Sequence, residues 1–169
     1  FRSEALPRIV ERFPNVTLIF VGEGPHRDHL DSLVKRFKLE RNVLFIGRIQ
    51  YAELPEYIAL GDVFAMPSRS RLFGLEVEGL GIVYLEASAC GIPVVGGASG
   101  GAPDAVRHGE TGYVVDGNDV GEISERIIQL LEDKYLRESM GSAGRQWAVE
   151  EWGWQRWSEA FNRALKINY

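Results

Sequence analysis

The sequence is poor in the residues that disulfide frameworks and metal clusters require. Cys90 is the one cysteine, so the chain can form no internal disulfide and offers no set of thiolates to a metal ion. Packing explains this thiol better than nucleophilic chemistry, because no base motif accompanies it. No apolar run is long enough to cross a membrane, and neither a signal peptide nor a spanning helix is visible.

Positive charge is also in short supply. Nineteen basic residues face 24 acidic ones, for a net charge of −5, which argues against a broad basic surface for nucleic acid but leaves room for a local basic pocket. Two histidines, His26 and His29, lie three residues apart, but a solvated surface explains them better than a metal site because no third ligand is near. A solvated loop likewise explains Arg69 and Arg71.

The residues that are present predict one folded domain. Hydrophobic residues make up 45% of the 169 and charged residues 25%, which is enough for a core and a solvated surface. The opening stretch, "FRSEALPRIVERFP", already has the apolar spacing of a helix and carries neither a start methionine nor a targeting pattern. We therefore expect the chain to be a piece of a larger protein.

Short apolar runs alternate with helical segments along the chain. The runs predict five strands: "VTLIFVG", "NVLFIG", "DVFAMPS", "PVVGG" and "TGYVVDG". Because they are continuously apolar, they predict an α/β fold with a Rossmann-like parallel sheet and helices on both faces. Each strand ends in glycine, proline or a polar residue, and ligands of such sheets bind at the carboxyl ends of the strands.

One stretch, "LEVEGLGIVYLEASACGIPVV", places a carboxylate on each side of a predicted helix start. A helix that begins near Leu80 or Gly81 has free amides at its first turn, which can bind an anion such as phosphate. Glu78 precedes that start and Glu86 lies about a turn and a half inside the helix, and carboxylates accept hydrogen bonds from sugar hydroxyls. Two hydroxyl-binding acids around a phosphate site indicate a nucleotide-sugar.

A simpler interpretation assigns these acids no ligand. Glu78 could merely complement the helix dipole, and Glu86 could be solvated on an exposed face. The second half of this interpretation is weakened by Tyr84, Leu85 and Ala87, because such neighbours predict a buried helix. A buried carboxylate needs a partner or a ligand.

The run "EGLGIVYLE" resembles the E-x7-E motif of retaining glycosyltransferases of group 1, the glycogen-synthase-like family with the two-domain GT-B fold. The resemblance covers nearly the whole chain, since further segments follow in the family's order: "VGEGPHRDHL", "VLFIGRI", "LPEYIALGDVFAMPS", "EASACGIPVV" and "GGAPDAVRHGETGYVV". The longer run "MPSRSRLFGLEVEGLGIVYLEA" is similar to GDP-mannose-dependent phosphatidylinositol mannosyltransferases of bacteria.

The resemblance implies a role for each part of a donor site. Glu78, the implied catalytic residue, contacts the sugar hydroxyls, and Glu86 binds the ribose. Backbone amides hold the sugar and the distal phosphate at Gly79, Leu80, Gly81, Ile82 and Val83, and the base is framed by Gly47, Arg48, Ile49, Met66, Pro67 and Ser68. Gly22 lines the pocket, although an ordinary tight turn explains its Gly-x-Gly as well. The resemblance also implies that this domain binds no metal ion. No other cofactor is expected, since the nucleotide-sugar is a substrate.

The resemblance also implies that parts of the enzyme lie outside this chain. Residues 1–150 correspond to the donor-binding domain without its first strand, and residues 151–169 to a helix that crosses to an absent N-terminal acceptor domain. The family's upstream Gly-Arg-x-x-x-x-Lys-Gly loop, which holds the diphosphate, is absent as well. We therefore expect the fragment alone to transfer no sugar.

The whole protein is expected to move a hexose, mannose from GDP-mannose, to an acceptor hydroxyl with retention of configuration. The resemblance implies a lipid or glycan acceptor and a cytoplasmic location at the membrane's inner face. Two alternatives stay open at this point. One is a nucleotide-binding or regulatory module without transfer chemistry, and the other is a nucleotide-sugar epimerase of similar two-domain fold.

Overall fold

Helices and strands alternate along the chain as the apolar periodicity predicts. The computed structural model describes residues 4–70 and 77–166. In chain order the elements are α1 (Ala5–Arg12), β1 (Leu18–Val21), α2 (Arg27–Arg36), β2 (Val43–Gly47), a 3-10 turn (Tyr51–Glu53), α3 (Leu54–Ala59), β3 (Phe64–Met66), α4 (Ile82–Ala89), β4 (Val94–Gly97), a second 3-10 turn (Ala102–Ala105), β5 (Gly112–Val115), α5 (Val120–Glu132), α6 (Lys134–Trp152) and α7 (Trp154–Lys166). All five predicted strands are confirmed, and Pro55 lies in the first turn of α3, as expected.

The strands are all parallel, and they form two sheets. β1 pairs with β2 in one, with Leu18 opposite Val43, while the other has the order β3–β4–β5, with Val94 opposite Gly112. In the doubly wound order 3-2-1-4-5-6, the first strand lies between the second and the fourth. A division into β1–β2 and β3–β4–β5 is what the loss of that strand would leave, although the absence of a first strand stays a prediction.

Helices cover both faces of the three-stranded sheet. Adjacent residues of β4 point to opposite sides, so Val95 packs in a cluster with Ile9 of α1 and Ile123 of α5, and Val94 in a second cluster with Tyr84 of α4. All five side chains are at most 2% exposed. The predicted α/β class with helices on both faces is therefore confirmed.

Small residues let α6 lie close against α4. A Cβ atom on Gly141 would come within 2.1 Å of the Gly91 carbonyl oxygen, and one on Gly144 within 3.4 Å of Ser88. Gly91 has φ of +78° and follows the end of α4, so the predicted Gly-Ile-Pro stop is confirmed. The close approach fixes α4, and with it the helix start that carries the site motif.

The C-terminal helix is amphipathic, and its apolar side faces solvent. Trp154, Trp157, Phe161 and Leu165 are spaced along one side of α7 and are 48% to 88% exposed. Trp152 was predicted on this helix but belongs to the end of α6, where its ring contacts the Trp157 ring at 5.8 Å. In the described ranges, no helix is both long enough and apolar enough to cross a membrane.

Candidate functional site

The start of α4 depends on a glycine that no other residue can replace without strain. Gly81 caps the helix with φ of +74° and ψ of +53°, in the left-handed region. A Cβ atom there would also lie 2.5 Å from the ring of Tyr84. Glycine has no side chain that could cap the helix, so in the part of the chain that the structure describes the first amides of α4 have no N-cap acceptor and the helix start is open. The helix starts within one residue of the predicted position, and anion binding by its first amides stays a prediction.

Tyr84 connects this helix to the end of β3. Its side chain is fully buried, its hydroxyl donates to the Met66 carbonyl oxygen at 2.7 Å, and the Ser68 hydroxyl lies 3.0 Å away. Burial raises the pKa of the Tyr84 phenol, so the group stays a protonated donor. The predicted site residues Met66, Pro67 and Ser68 are thereby held beside α4.

The turn that carries Glu78 is braced by the loop after β4. Ser99, which is 1% exposed, accepts a hydrogen bond from the Glu78 amide at 3.3 Å, and the Gly101 amide donates to the Gly79 carbonyl oxygen at 2.9 Å. The contact is so close that a Cβ atom on Gly100 would lie 1.9 Å from the Glu78 carbonyl oxygen. Sequence reasoning missed this loop, although its "GGASGGA" run lies at a strand's carboxyl end, where it could have been suspected.

Glu86 is half-buried, so the prediction of a buried carboxylate is wrong. The reason is that α4 is not buried on all sides. Tyr84 and Ala87 are buried, but Ile82, although apolar, is 63% exposed. Glu86 nevertheless has a partner, because the Tyr51 hydroxyl donates to its Oε1 at 2.9 Å. This hydrogen bond and the nearby negative charge raise the pKa of the Tyr51 phenol.

An open groove follows the end of β2. It has a volume of about 530 Å³ and is lined by Ile46, Arg48, Ile49, Gln50, Glu53 and Tyr57. The turn beneath it is fixed by the Gln50 amide, which donates to the Glu53 carboxylate at 2.8 Å. Arg48 and Ile49, two of the residues predicted to frame a base, lie in this groove, whereas Met66, Pro67 and Ser68 are not among its lining residues.

Gly22 and Gly47 meet at the carboxyl ends of the first two strands. The Gly22 amide donates to the Gly47 carbonyl oxygen at 2.7 Å, and both residues have positive φ, +116° and +81°. Glycine is the residue that adopts these values at low cost. Gly22 thus lies next to the end of the groove-bearing strand, as its predicted pocket-lining role requires, while its tight turn is explained by backbone geometry alone.

The remaining polar candidates lie apart from this arrangement. His26 and His29 are exposed, and the described part of the chain contains no group of three or more His, Cys, Asp and Glu residues that could hold a metal ion. Burial raises the pKa of the Cys90 thiol, which makes it a poor nucleophile. Arg69 donates to Asn118 Oδ1 at 3.1 Å, which ties the loop after β3 to the turn after β5, while Arg71 lies outside the described residues.

Comparison with known proteins finds relatives among mannosyltransferases. Over 151 residues, 50% are identical to the GDP-mannose-dependent alpha-(1-6)-phosphatidylinositol monomannoside mannosyltransferase of Mycolicibacterium smegmatis, which covers 89% of this chain and 40% of that protein. Over 163 residues, 44% are identical to the corresponding enzyme for the monoacylated lipid in Corynebacterium glutamicum, which covers 96% of this chain and 42% of that protein. The chain thus spans about two fifths of the length of these relatives.

Fold comparison points to the same class of proteins. The Anabaena protein HepE, solved in complex with UDP, superposes with a TM-score of 0.85 and 27% identity, covering 98% of this chain and 44% of that one. A family model described as "Glycosyl transferases group 1" matches residues 3–147. That range includes the α4 helix start, the loop that braces it and the groove after β2, and the chain belongs to the group 1 glycosyltransferase family.

Proposed function

We propose that this chain is the donor-binding part of a retaining mannosyltransferase that takes mannose from GDP-mannose and transfers it to an acceptor hydroxyl. The observation that carries the proposal is the pair of carboxylates, Glu78 and Glu86, on either side of the open helix start at Gly81. The names of the two relatives, both GDP-mannose-dependent mannosyltransferases, support this donor.

The donor lies along α4 in this proposal. The Glu78 carboxylate binds hydroxyls of the mannose, and the amides from Gly79 to Val83 hold the sugar and the distal phosphate. Gly79 is suited to this, because no heavy atom of the described residues, apart from Gly79 and its two chain neighbours, lies within 4 Å of the place where its Cβ would be. The open space admits a ligand to the backbone, and the helix dipole favours its negative charge.

The nucleoside end of the donor lies toward β2. Glu86 binds the ribose hydroxyls, and the groove that contains Arg48 and Ile49 takes the base. Gly47, Met66, Pro67 and Ser68 set the shape of the strand ends around it, and Gly22 lines the adjoining turn. Arg48 and Gln50 are exposed, and the Arg48 guanidinium and the Gln50 amide can form hydrogen bonds with the edge of a base.

The chain's catalytic contribution is electrostatic and geometric. The diphosphate is the leaving group, and charge develops on it as the sugar bond breaks. Fixed amide dipoles stabilise that charge without reorganising, and Glu78 orients the sugar at the reacting centre. In this proposal no metal ion is needed, because backbone groups of this chain and basic groups elsewhere in the protein share the stabilisation.

The rest of the protein supplies the acceptor. In this proposal the acceptor domain precedes residue 1. The 151–169 segment crosses to that domain, and the exposed side of α7 packs against its surface. Trp154, Trp157 and Phe161 supply the apolar area for such a contact. A lipid acceptor fits the names of the relatives, which are phosphatidylinositol monomannoside mannosyltransferases, and we propose a cytoplasmic enzyme held at the membrane surface with a lipid or glycan acceptor.

Calorimetric titration tests the donor assignment directly. The 169-residue chain should bind GDP more tightly than UDP or ADP, and Glu86→Ala should weaken GDP binding by about tenfold or more, since two charge-assisted hydrogen bonds to the ribose are lost. Glu125→Ala, at an exposed position on α5, is the matched control and should bind like the parent chain. Equal weak binding of all three nucleotides, unaffected by Glu86→Ala, would remove the donor site and favour the regulatory-module alternative.

A further inference from the structure

A tyrosine outside the family motif contacts the carboxylate that is assigned to the ribose. Tyr51 lies 35 residues before Glu86, and its hydroxyl donates to Glu86 Oε1 at 2.9 Å. Tyr51 is 79% exposed, so its side chain neither fills a core nor satisfies a buried polar group. A side chain that exposes its ring and gives its one donor to a site carboxylate calls for a functional explanation.

The hydrogen bond leaves Glu86 able to bind a ligand. A carboxylate has about four acceptor positions, and Tyr51 occupies one of them on Oε1. The rest can accept hydrogen bonds from two neighbouring hydroxyls of a ribose. Tyr51 therefore does not block the carboxylate but restricts its rotation. A glutamate on a helix otherwise samples several rotamers, and restricting them before the ligand arrives lowers the entropy lost on binding.

The backbone around Tyr51 is itself held in place. Tyr51 begins the 3-10 turn after β2, and the Gln50 and Glu53 side chains and backbone amides bond each other reciprocally across that turn. Pro55 follows in the first turn of α3 and removes further freedom. The phenol is thus presented from a stiff support, as a group that orients another group must be.

The contact also joins the two sheets at the candidate site. Tyr51 follows β2 of the two-stranded sheet, whereas Glu86 lies on α4, between β3 and β4 of the three-stranded sheet. The groove for the base belongs to the first of these parts and the helix start for the phosphates to the second. A ligand that spans both must bind with its ribose where the two meet.

We propose that Tyr51 is a positioning residue, which holds the Glu86 carboxylate in the orientation that accepts both ribose hydroxyls of the nucleotide. The proposal rests on the donor site described under Proposed function and adds a residue to it. It gives Tyr51 no contact with the reacting sugar, so its effect falls on nucleotide affinity and on the recognition of the ribose hydroxyls.

Nucleotides with and without those hydroxyls test the proposal. Tyr51→Phe keeps the ring and removes the donor, so we expect it to weaken GDP binding by about two- to tenfold, the range of one hydrogen bond. The same variant should leave binding of 2′,3′-dideoxy-GDP unchanged, since that ligand has no hydroxyl for Glu86. Tyr135→Phe, on an equally exposed tyrosine of α6, is the matched control and should change neither affinity.

Each other result contradicts a defined part of the proposal. Equal weakening for both ligands would give Tyr51 a role elsewhere, as in contact with the base, and tighter GDP binding would mean that the phenol competes with the ribose. No change in GDP affinity would overturn the positioning role and leave the donor site standing. If the parent chain binds no GDP, the proposed function fails, and this inference fails with it.

A measurement without ligand tests the hydrogen bond between Tyr51 and Glu86 separately from the proposed nucleotide site. The Glu86 carboxylate raises the pKa of the Tyr51 phenol through the hydrogen bond and its charge, and we expect Glu86→Gln to return that pKa toward its ordinary value near 10. Nuclear magnetic resonance of ring-labelled tyrosine follows this titration, with Tyr51→Phe identifying the signal. An unchanged pKa in Glu86→Gln would show that the two side chains are not bonded in solution and would overturn the proposal, whatever the nucleotide titrations give.

Discussion

The proposed donor site has one end for the sugar and phosphates and one for the nucleoside, and the two ends are built from different kinds of contact. At the sugar and phosphate end, backbone packs on backbone: the Gly101 amide donates to the Gly79 carbonyl oxygen, and Gly100 fits against Glu78 with no space for a Cβ atom. At the nucleoside end the contacts are made by exposed side chains. The Tyr51 hydroxyl donates to Glu86, and Arg48 lies in an open groove. Substitutions at the first end should therefore cost stability, and substitutions at the second should change ligand preference.

The largest effect is expected from Gly100→Ala. The added methyl group would lie 1.9 Å from the Glu78 carbonyl oxygen, on a residue with φ of +54°. We expect a loss of about 2 to 4 kcal/mol in the free energy of unfolding, from strain and overpacking together, and a loss of GDP-mannose binding as the Glu78 turn moves. Chemical denaturation and calorimetry measure the two.

Gly24→Ala is the control for that substitution. Gly24 lies in the turn after β1, and no heavy atom of the described residues beyond its two chain neighbours lies within 4 Å of its Cβ position. Its free energy of unfolding should stay within about 0.5 kcal/mol of the parent chain. If Gly100→Ala were as mild as Gly24→Ala, the loop after β4 would not brace the site, and the contrast between the two ends would be lost.

The hydroxyl of Tyr84 is expected to have the next largest effect. Tyr84→Phe removes the hydrogen bond to the Met66 carbonyl oxygen, which keeps the Ser68 amide as its donor, and it also removes the contact with the Ser68 hydroxyl beside a fully buried ring. We expect a loss of about 1 to 2 kcal/mol in the free energy of unfolding. GDP affinity should fall only as far as Met66 and Ser68 shift. Thermal unfolding separates this outcome from that of Tyr57→Phe, in the open groove, whose free energy of unfolding should stay near that of the parent chain.

The same phenol should make stability depend on alkaline pH. Burial raises the pKa of Tyr84 above its ordinary value of 10, so the folded state keeps the proton more tightly than the unfolded state. The stabilisation is complete below pH 10 and is lost as the pH rises through the folded-state pKa. The free energy of unfolding should therefore fall more steeply above pH 10 in the parent chain than in Tyr84→Phe, and parallel curves would rule out this titration.

The contrast also explains which parts of the molecule could be predicted from sequence. The strands, the helix at Ile82–Ala89 and the open start at Gly81 follow from local periodicity and from glycine placement, and these were predicted correctly. The role of Ser99 and the partner of Glu86 depend on contacts across 21 and 35 residues of chain. No local pattern encodes such contacts, and for the same reason the neighbours of Glu86 wrongly indicated a buried carboxylate.

The five strands were predicted from local patterns, but their division into two sheets was not. Local patterns predict five parallel strands, but pairing depends on which edges meet, and the apolar runs do not distinguish the β1–β2 edge from the β3–β4 edge. The resemblance to a known family implied that a first strand is missing, but it gave that strand no place in the sheet. The motif at Glu78 and Glu86 was found from its residue types and spacing, and the resemblance added the family; the residues that hold the motif in place appear only once the chain is folded.

The smallest effect on stability is expected at the nucleoside end, from Arg48→Ala. Arg48 is exposed in the groove after β2, so its removal should change the free energy of unfolding by less than about 0.5 kcal/mol. The guanidinium can donate two hydrogen bonds to the O6 and N7 acceptors of guanine, a pair that uracil does not offer in that geometry. We therefore expect Arg48→Ala to lower the preference for GDP over UDP severalfold, by weakening GDP binding while UDP binding is kept.

Competition calorimetry measures the ratio, and Arg41→Ala, on an exposed arginine just before β2, is the control that should leave it unchanged. If Arg48→Ala instead weakened both nucleotides equally, the arginine would act on the phosphates they share, and base selectivity would have to come from the backbone of the groove.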